Sequence, residues 1–259
     1  MTATAVTQVS QVARRSALRT FRQPAQVIPS LVFPLMLLAI NASGLQRVTQ
    51  LPGFPTNSFV TFALAIPFLQ GALFGVINSG TDMARDIETG FLNRLALTPL
   101  RGSALLVGLL TGSLILGLVQ AVAFLIVGAA VGAHFAAGFA GVLVLVALSM
   151  LITLGFGALG LVVALRTGSG EAVQGMFPVF FVFLFLSSMS LPRNLIQTDW
   201  FRTVATYNPV SYLIEGIRSL LVTGWDAEAL ALGFGIAAAI AVIALFLASV
   251  SLKSRLVRT

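Results

Sequence analysis

Few residues in this chain can carry ionic, nucleophilic or metal chemistry. The carboxylates are Asp82, Asp86, Glu88, Glu171, Asp199, Glu215, Asp226 and Glu228; Lys253 is the only lysine, His134 the only histidine, and cysteine is absent. That set excludes a disulfide framework, a thiol nucleophile, haem attachment and a Cys/His zinc site. No paired carboxylates, metal-ligand set or neighbouring Ser/His couple is present either, which argues against intramembrane hydrolysis. A phosphate-cradling G-x-x-x-x-G-K-[ST] loop needs a lysine behind a glycine turn. No such loop precedes Lys253, so ATP is not bound and hydrolysed by that route in this chain alone, and no cofactor is expected on it.

The elements that hold these groups are overwhelmingly apolar. Of 259 residues, 58% are hydrophobic and 9% charged, and the mean hydropathy is +1.00. The 64 residues from Gly102 to Leu165 contain no Asp, Glu, Lys or Arg. A soluble domain cannot hide that much apolar chain, because it still exposes much of its surface. The expectation is an all-α integral membrane protein with six transmembrane helices in a single transmembrane domain, spanning 27–45, 59–81, 103–131, 139–165, 172–191 and 230–252. Long continuous apolar runs, not alternating ten-residue segments, exclude a β-barrel.

Charge placement orients the spans. With the beginning of the chain inside the cell, eleven of the fifteen basic residues fall in inner segments, and only Arg47, Arg193, Arg202 and Arg218 fall outside. The asymmetry predicts both termini in the cytoplasm of a multi-pass inner-membrane protein. The net charge of +7 is thereby assigned to the membrane surface and not to nucleic acid. None of the eight acids lies mid-span, which disfavours an ion-coupled carrier, although backbone carbonyls can serve sodium. Arg14-Arg15 ahead of an apolar run admits a twin-arginine signal, but Pro24, Pro29 and Pro34 interrupt that run and no clean cleavage site closes it. Val6, Val9, Ala13, Ala17 and Phe21 recur at helical spacing, so residues 1–26 are read as an amphipathic helix on the inner leaflet.

Polar character concentrates in two connections. The inner one, 82–101, puts Ile87, Phe91 and Leu95 on one helical face among Arg85, Asp86, Glu88 and Arg94, until Pro99 blocks the helix and Arg101 precedes the next span. It reads as a helix that rests on the membrane or docks on a partner, or as a charged elbow. The outer one, 192–228, is too long for a turn and too polar to span. Trp200-Phe201 supplies interfacial aromatics and Asn208-Pro209 breaks the chain. Glu215 and Arg218, three apart on the following helix, are placed to pair. Two short helices dipping into the outer leaflet, or a loop lying on the surface, both suit this composition.

Together these segments resemble the permease subunit of type-2 ABC exporters, in the daunorubicin-resistance-like branch. The matching residues are Asp86-x-Glu88-x-Gly90 followed by Leu95, Pro99 and Arg101. They continue with Leu191-Pro192, Trp200, and Tyr207-Asn208-Pro209-Val210 through Glu215-x-x-Arg218. Leu51-Pro52-Gly53 looks like the drug and lipid branch. The resemblance implies a transport subunit that is not itself an enzyme, with ATP and Mg on a separate ABC ATPase present in two copies. It also implies a second permease copy in a homodimer. A cytoplasmic coupling helix between spans 2 and 3 would touch the ATPase through Arg85, Asp86, Glu88, Gly90, Phe91, Arg94 and Leu95, with the N-terminal helix as a second contact. Extracellular re-entrant helices between spans 5 and 6 would form a gate at Trp200, Asn208, Pro209, Glu215 and Arg218. The cargo implied is a small amphipathic drug or lipid moving outward; a glycolipid or polysaccharide on the same fold, or an ATP-independent carrier, are the other readings.

Within the spans, Gly71-x-x-x-Gly75, Gly108-x-x-x-Gly112 and Gly128-x-x-x-Gly132 suit close helix approach, though glycine is also simply common in membrane helices. Gln70, Asn78, Gln120 and Gln174 are expected to face inward, because an unsatisfied amide in lipid is costly. Met176, Met189 and the phenylalanines at 177, 180, 181, 183 and 185 either line a greasy path or face lipid. The resemblance implies a pathway between the second and fifth spans of both copies, which would be lined by Gln70, Phe74, Phe177 and Phe181. His134 sits in a short outer turn without a special role.

Overall fold

The computed structural model describes residues 11, 13–20, 22–96 and 102–258, apart from the side chains of 93, 95, 96, 102–105, 257 and 258. All regular elements among them are helical. They are α1 (13–20), α2 (Pro24–Leu45), α3 (Phe59–Ala63), α4 (Ala65–Glu88), α5 (Phe91–Ala96), α6 (Gly102–Ala130), α7 (Gly138–Thr167), α8 (Gly170–Phe185), α9 (Asp199–Tyr207), α10 (Pro209–Val222) and α11 (Ala227–Arg258). Val6, Val9 and Phe21 of the expected interfacial helix lie outside the described residues, as do Leu97, Pro99 and Arg101.

Among the described residues, five helical stretches are long and apolar enough to cross a membrane: Pro24–Gln50, Phe59–Glu88, Leu106–Ala130, Gly138–Thr167 and Ala227–Leu256. The expected fifth span, 172–191, is shorter than the sequence suggests. Its helix α8 stops at Phe185 after 16 residues. The Leu186 amide still bonds Val182, but the Ser187 hydroxyl turns back onto the Leu184 carbonyl and closes the end.

Nor do Pro29 and Pro34 interrupt α2, which continues through both. Proline withholds the N–H that the carbonyl four residues earlier would accept. For Pro34 that carbonyl belongs to Ser30, and Gln120 of α6 donates its Nε2 to it at 3.3 Å. A neighbouring helix thus supplies the missing donor, which is how membrane helices tolerate proline.

The centre of the molecule is α4, buried along most of its length. It crosses α7 where small residues meet. A Cβ on Gly160 would run into the Val76 carbonyl, and one on Gly80 into Val173 of α8. In the gap so created, the Ser79 hydroxyl donates across to the Gly157 carbonyl at 2.7 Å. Gly155 of α7 in turn presses on the Ala241 backbone of α11. Of the expected glycine pairs, Gly71 faces Gln120 and Phe124 of α6, Gly75 faces Thr153 of α7, and Gly112 faces Ser16 of α1.

These contacts order the helices. Gly75 meets Thr153 while Ser79 meets Gly157, so α4 and α7 run in the same direction. Gly71 meets Gln120 while Gly128 meets Leu64, so α6 runs opposite to α4. Helix α8 also runs opposite, passing from Gly80 at Val173 to Phe74 at Phe177. The turn after α8 ends at Ser188 and Met189, which are tied through Arg218 to Phe62. The segment therefore travels the length of α3–α4 from Gly80 to Phe62, about 27 Å at 1.5 Å per residue.

Candidate functional site

Charged side chains are gathered at the two ends of α4. At its C-terminal end the helix runs on through Asp82, Arg85, Asp86 and Glu88. It stops where the Thr89 amide bonds Arg85 and the Gly90 amide bonds Ile87, with Gly90 at φ +67°. A left-handed turn of that kind favours glycine. Helix α5 then carries Phe91 and Arg94. The single amphipathic helix expected over 85–97 is thus two pieces, because Gly90 bends the chain between its acidic half and its apolar half.

Asp86 points inward, 3% exposed. Arg15 grips both its carboxylate oxygens at 3.0 and 2.8 Å, and Arg19 reaches Oδ1 at 3.0 Å while pairing with Asp82 at 2.9 Å. The Arg15 guanidinium also lies 3.8 Å above the Phe91 ring, so one side chain of α1 clamps the end of α4 to the start of α5. The hydrogen bonds that Arg15 donates to Asp86 outweigh burial and raise the Arg15 pKa above its usual range. Arg85, Glu88 and Arg94 are exposed; Arg94 makes only a long 3.5 Å contact to the Thr89 carbonyl. The side chain of Leu95 lies outside the described residues. Among the expected contact residues, then, Asp86 is internal and Phe91 half-buried under Arg15, while Arg85, Glu88 and Arg94 face outward.

At the opposite end, Asn208 separates α9 from α10. Its Oδ1 accepts from the Val210 amide at 2.9 Å, and its Nδ2 donates to the Phe183 carbonyl of α8 at 2.6 Å. Pro209 follows at the first helical position, where its missing N–H costs nothing. Glu215 does not pair with Arg218. It takes a two-pronged contact from Arg193 at 2.9 and 2.6 Å, with the Arg193 guanidinium 4.5 Å above the Tyr212 ring. Burial alone would lower the Arg193 pKa, but the Glu215 charge and hydrogen bond, with help from Tyr212, raise it.

Arg218 turns instead into the protein, 6% exposed. Its Nε donates to Phe62 at 3.2 Å, Nη1 to Ser188 at 2.9 Å and Nη2 to Met189 at 2.9 Å, all backbone carbonyls. The guanidinium stacks 3.6 Å over the Phe62 ring. Burial pushes its pKa down to about 9, opposed by the Glu215 charge, and it remains protonated at neutral pH. Phe62 lies in the last turn of α3, which ends at Ala63 before α4 begins at Ala65, and its carbonyl is free to accept from Arg218 there. A cleft of about 530 Å³ borders Arg193, Glu215, Arg218 and Asp226. On α9, Trp200 and Tyr207 face outward, 63% and 84% exposed.

Between the two ends lies an aromatic cluster. Phe74 and Phe177 are 5.5 Å apart, and Phe177 and Phe181 are 4.5 Å apart. Phe33 of α2, absent from the expected set, sits 6.2 Å from Phe74 and 6.0 Å from Phe181. Gln70, one turn before Phe74, is 2% exposed, and its Oε1 has no hydrogen-bond partner among the described residues. Asn78 and Gln120 are buried as expected, whereas Gln174 is exposed: on α8 it follows Val173, whose side chain is the one turned onto Gly80.

Sequence reasoning singled out the acids at the α4 end but missed Arg15 and Arg19 as their partners. A signal existed, since Arg15-x-x-x-Arg19 and Asp82-x-x-x-Asp86 carry the same one-turn spacing. Arg193 as the partner of Glu215 had no local signal.

The family model described as ABC-2 type transporter matches residues 7–222 of this chain. A protein named as a transport permease, ycf38, of Porphyra purpurea is 27% identical over 225 residues, covering 85% of this chain and 76% of its own length. Its namesake from Pyropia yezoensis is 27% identical over 218 residues, covering 83% and 74%. The doxorubicin resistance ABC transporter permease protein DrrC, as it is named in Mycobacterium tuberculosis, is 23% identical over 219 residues, covering 85% and 78%.

Proposed function

The chain belongs to the ABC-2 type transporter family, and we propose that it is the permease subunit of an ATP-driven exporter of amphipathic drugs or lipids. It is a multi-pass membrane protein. ATP and Mg are assigned to a separate ATPase, two copies of which serve a permease homodimer.

The observation that carries this reading is the pair of linkages at the ends of one buried helix. The Asp86 end presents a short helix, α5, with Glu88 and Arg94 exposed beside the Gly90 turn. The far end is tied by Arg218 to the segment that follows α8. A push on α5 moves α4 and with it the preceding α3, whose Phe62 carbonyl is bonded to Arg218 of the outer segment, so closure of an ATPase dimer reaches a gate built from α9 and α10. Coupling requires nucleotide and cargo to favour different arrangements of that assembly.

Six crossings are part of the proposal. Helix α8 is short, but with its terminal turn it follows α4 for about 27 Å, close to the roughly 30 Å hydrocarbon core. With α8 crossing, the chain alternates direction and the arginine-rich connections fall on the cytoplasmic side. Phe33, Phe74, Phe177 and Phe181 are each only partly buried, and α8 exposes Val182 and Phe183 beside them. A second copy facing this surface encloses an apolar path with Gln70 at its edge. The relative named for doxorubicin resistance supports an amphipathic drug as cargo.

The test is purification of the chain from its own membrane in mild detergent, with mass spectrometry of what accompanies it. An ATPase with a Walker loop at equal stoichiometry is the expected result. A homo-oligomer that transports without one overturns the reading.

A further inference from the structure

We propose that the basic face of α1 is a binding site for the headgroup of an anionic phospholipid. Arg14 and Leu18 lie one turn apart on α1, with Arg15 and Arg19 one position on, and Arg22 follows in the turn just beyond its end, where its amide bonds the Leu18 and Arg19 carbonyls. Together with Gln23 they line an open cavity of about 520 Å³.

The charge in this cavity is not balanced by the protein. Arg15 and Arg19 are engaged by Asp82 and Asp86. Arg14 and Arg22 are exposed and have no carboxylate partner among the described residues. Four guanidiniums therefore face two carboxylates. Arginine is suited to phosphate because its planar fork donates two parallel hydrogen bonds.

The position of the cavity selects a lipid over other anions. Gln23 immediately precedes the first residue of α2, so the cavity opens where the chain enters the apolar stretch Pro24–Gln50. Directly beyond it, Ile28, Val32 and Met36 recur at four-residue steps and are 57%, 55% and 46% exposed. A phosphate between Arg14 and Arg22 leaves acyl chains free to lie along that stripe. A soluble anion uses the cavity alone and gains nothing from the stripe. This inference needs α2 to enter a bilayer, and it does not depend on the ATPase assignment.

The experiment uses the purified full-length chain in nanodiscs of phosphatidylcholine, with or without phosphatidylglycerol, and reads retained lipid by native mass spectrometry. Phosphatidylglycerol is expected to be retained in preference. Arg14→Gln and Arg22→Gln should each weaken its retention about five-fold, and the double variant roughly 25-fold. Arg14→Lys with Arg22→Lys should retain most of the preference, and Arg47→Gln all of it. Equal retention of both lipids, or an unchanged preference in the double glutamine variant, overturns the proposal. So does full competition by inorganic phosphate, which marks a soluble-anion site. Displacement of the lipid by an ATPase subunit that itself needs Arg14 and Arg22 assigns the face to a protein and also overturns it.

Discussion

Arg15 and Asp86, 71 residues apart in sequence, are joined by two hydrogen bonds of 2.8 and 3.0 Å, with the carboxylate almost wholly removed from solvent. Because the same guanidinium covers Phe91, this pair fastens α1, α4 and α5 into one unit. A segment that meets another protein at α5 would transmit force through it without bending at the Gly90 turn.

Removing the charge of Asp86 should undo that unit. Asp86→Asn leaves Arg15 and Arg19 facing a buried amide, at a cost of about 3 kcal/mol. A drop in Tm of the purified chain, together with faster proteolysis near residues 13–20, is the expected outcome. An unchanged Tm would show that the pair is energetically idle.

Arg218→Met removes the donors to the Phe62, Ser188 and Met189 carbonyls while keeping bulk over the Phe62 ring. Each buried acceptor left without a partner costs about 1–3 kcal/mol, so a loss of about 3 kcal/mol or more is expected. Arg218→Lys should recover part of it, since lysine supplies charge but not the planar fork. Thermal unfolding of both variants against the parent decides this.

The exposed pair beside the Gly90 turn should matter to coupling and not to folding. Glu88→Ala and Arg94→Ala are expected to lower cargo-stimulated ATPase activity of the assembled complex several-fold, with normal membrane insertion and Tm. Full stimulation in both variants would remove these residues from the ATPase contact.

Close packing of α4 on α7 sets opposite expectations for different glycines. Gly160→Ala drives a methyl into the Val76 carbonyl and should cost about 1–3 kcal/mol. Gly175→Ala and Gly235→Ala, with open space around both positions, should be neutral or stabilise by up to about 1 kcal/mol. Comparable losses at all three positions would mean that helix packing does not govern the cost.

Cysteine is absent from the chain, so single cysteines report sidedness directly. With α8 crossing, a thiol-reactive, membrane-impermeant label applied from outside should react with Trp200→Cys and His134→Cys but not with Glu88→Cys. Labelling of Glu88→Cys and Trp200→Cys from one side would reduce the crossings to five.

What the sequence determined by itself was the solvent of the protein and the rough course of its helices. An uncharged run such as Gly102–Leu165 has no stable soluble form, and turn chemistry at Asn208-Pro209 acts within a few residues, so both were legible locally; the Gly90 turn was not, because the apolar spacing of Ile87, Phe91 and Leu95 continues a helix across it. The family resemblance also picked out Phe74, Phe177 and Phe181, whose rings do cluster.

Partnership at a distance was decided only by the tertiary structure. Glu215 and Arg218 have the spacing of a helical ion pair, yet Glu215 is taken by Arg193, and Arg218 is drawn to three carbonyls at the end of α3 and in the turn after α8. Pro34 lies inside the expected span 27–45, but what satisfies the Ser30 carbonyl it orphans is Gln120, 86 residues later, and spacing gave no sign of that. In a medium that offers no water, a polar group takes whichever partner the fold brings within reach. That choice depends on the packing of the whole bundle and is not recorded in the spacing of neighbours.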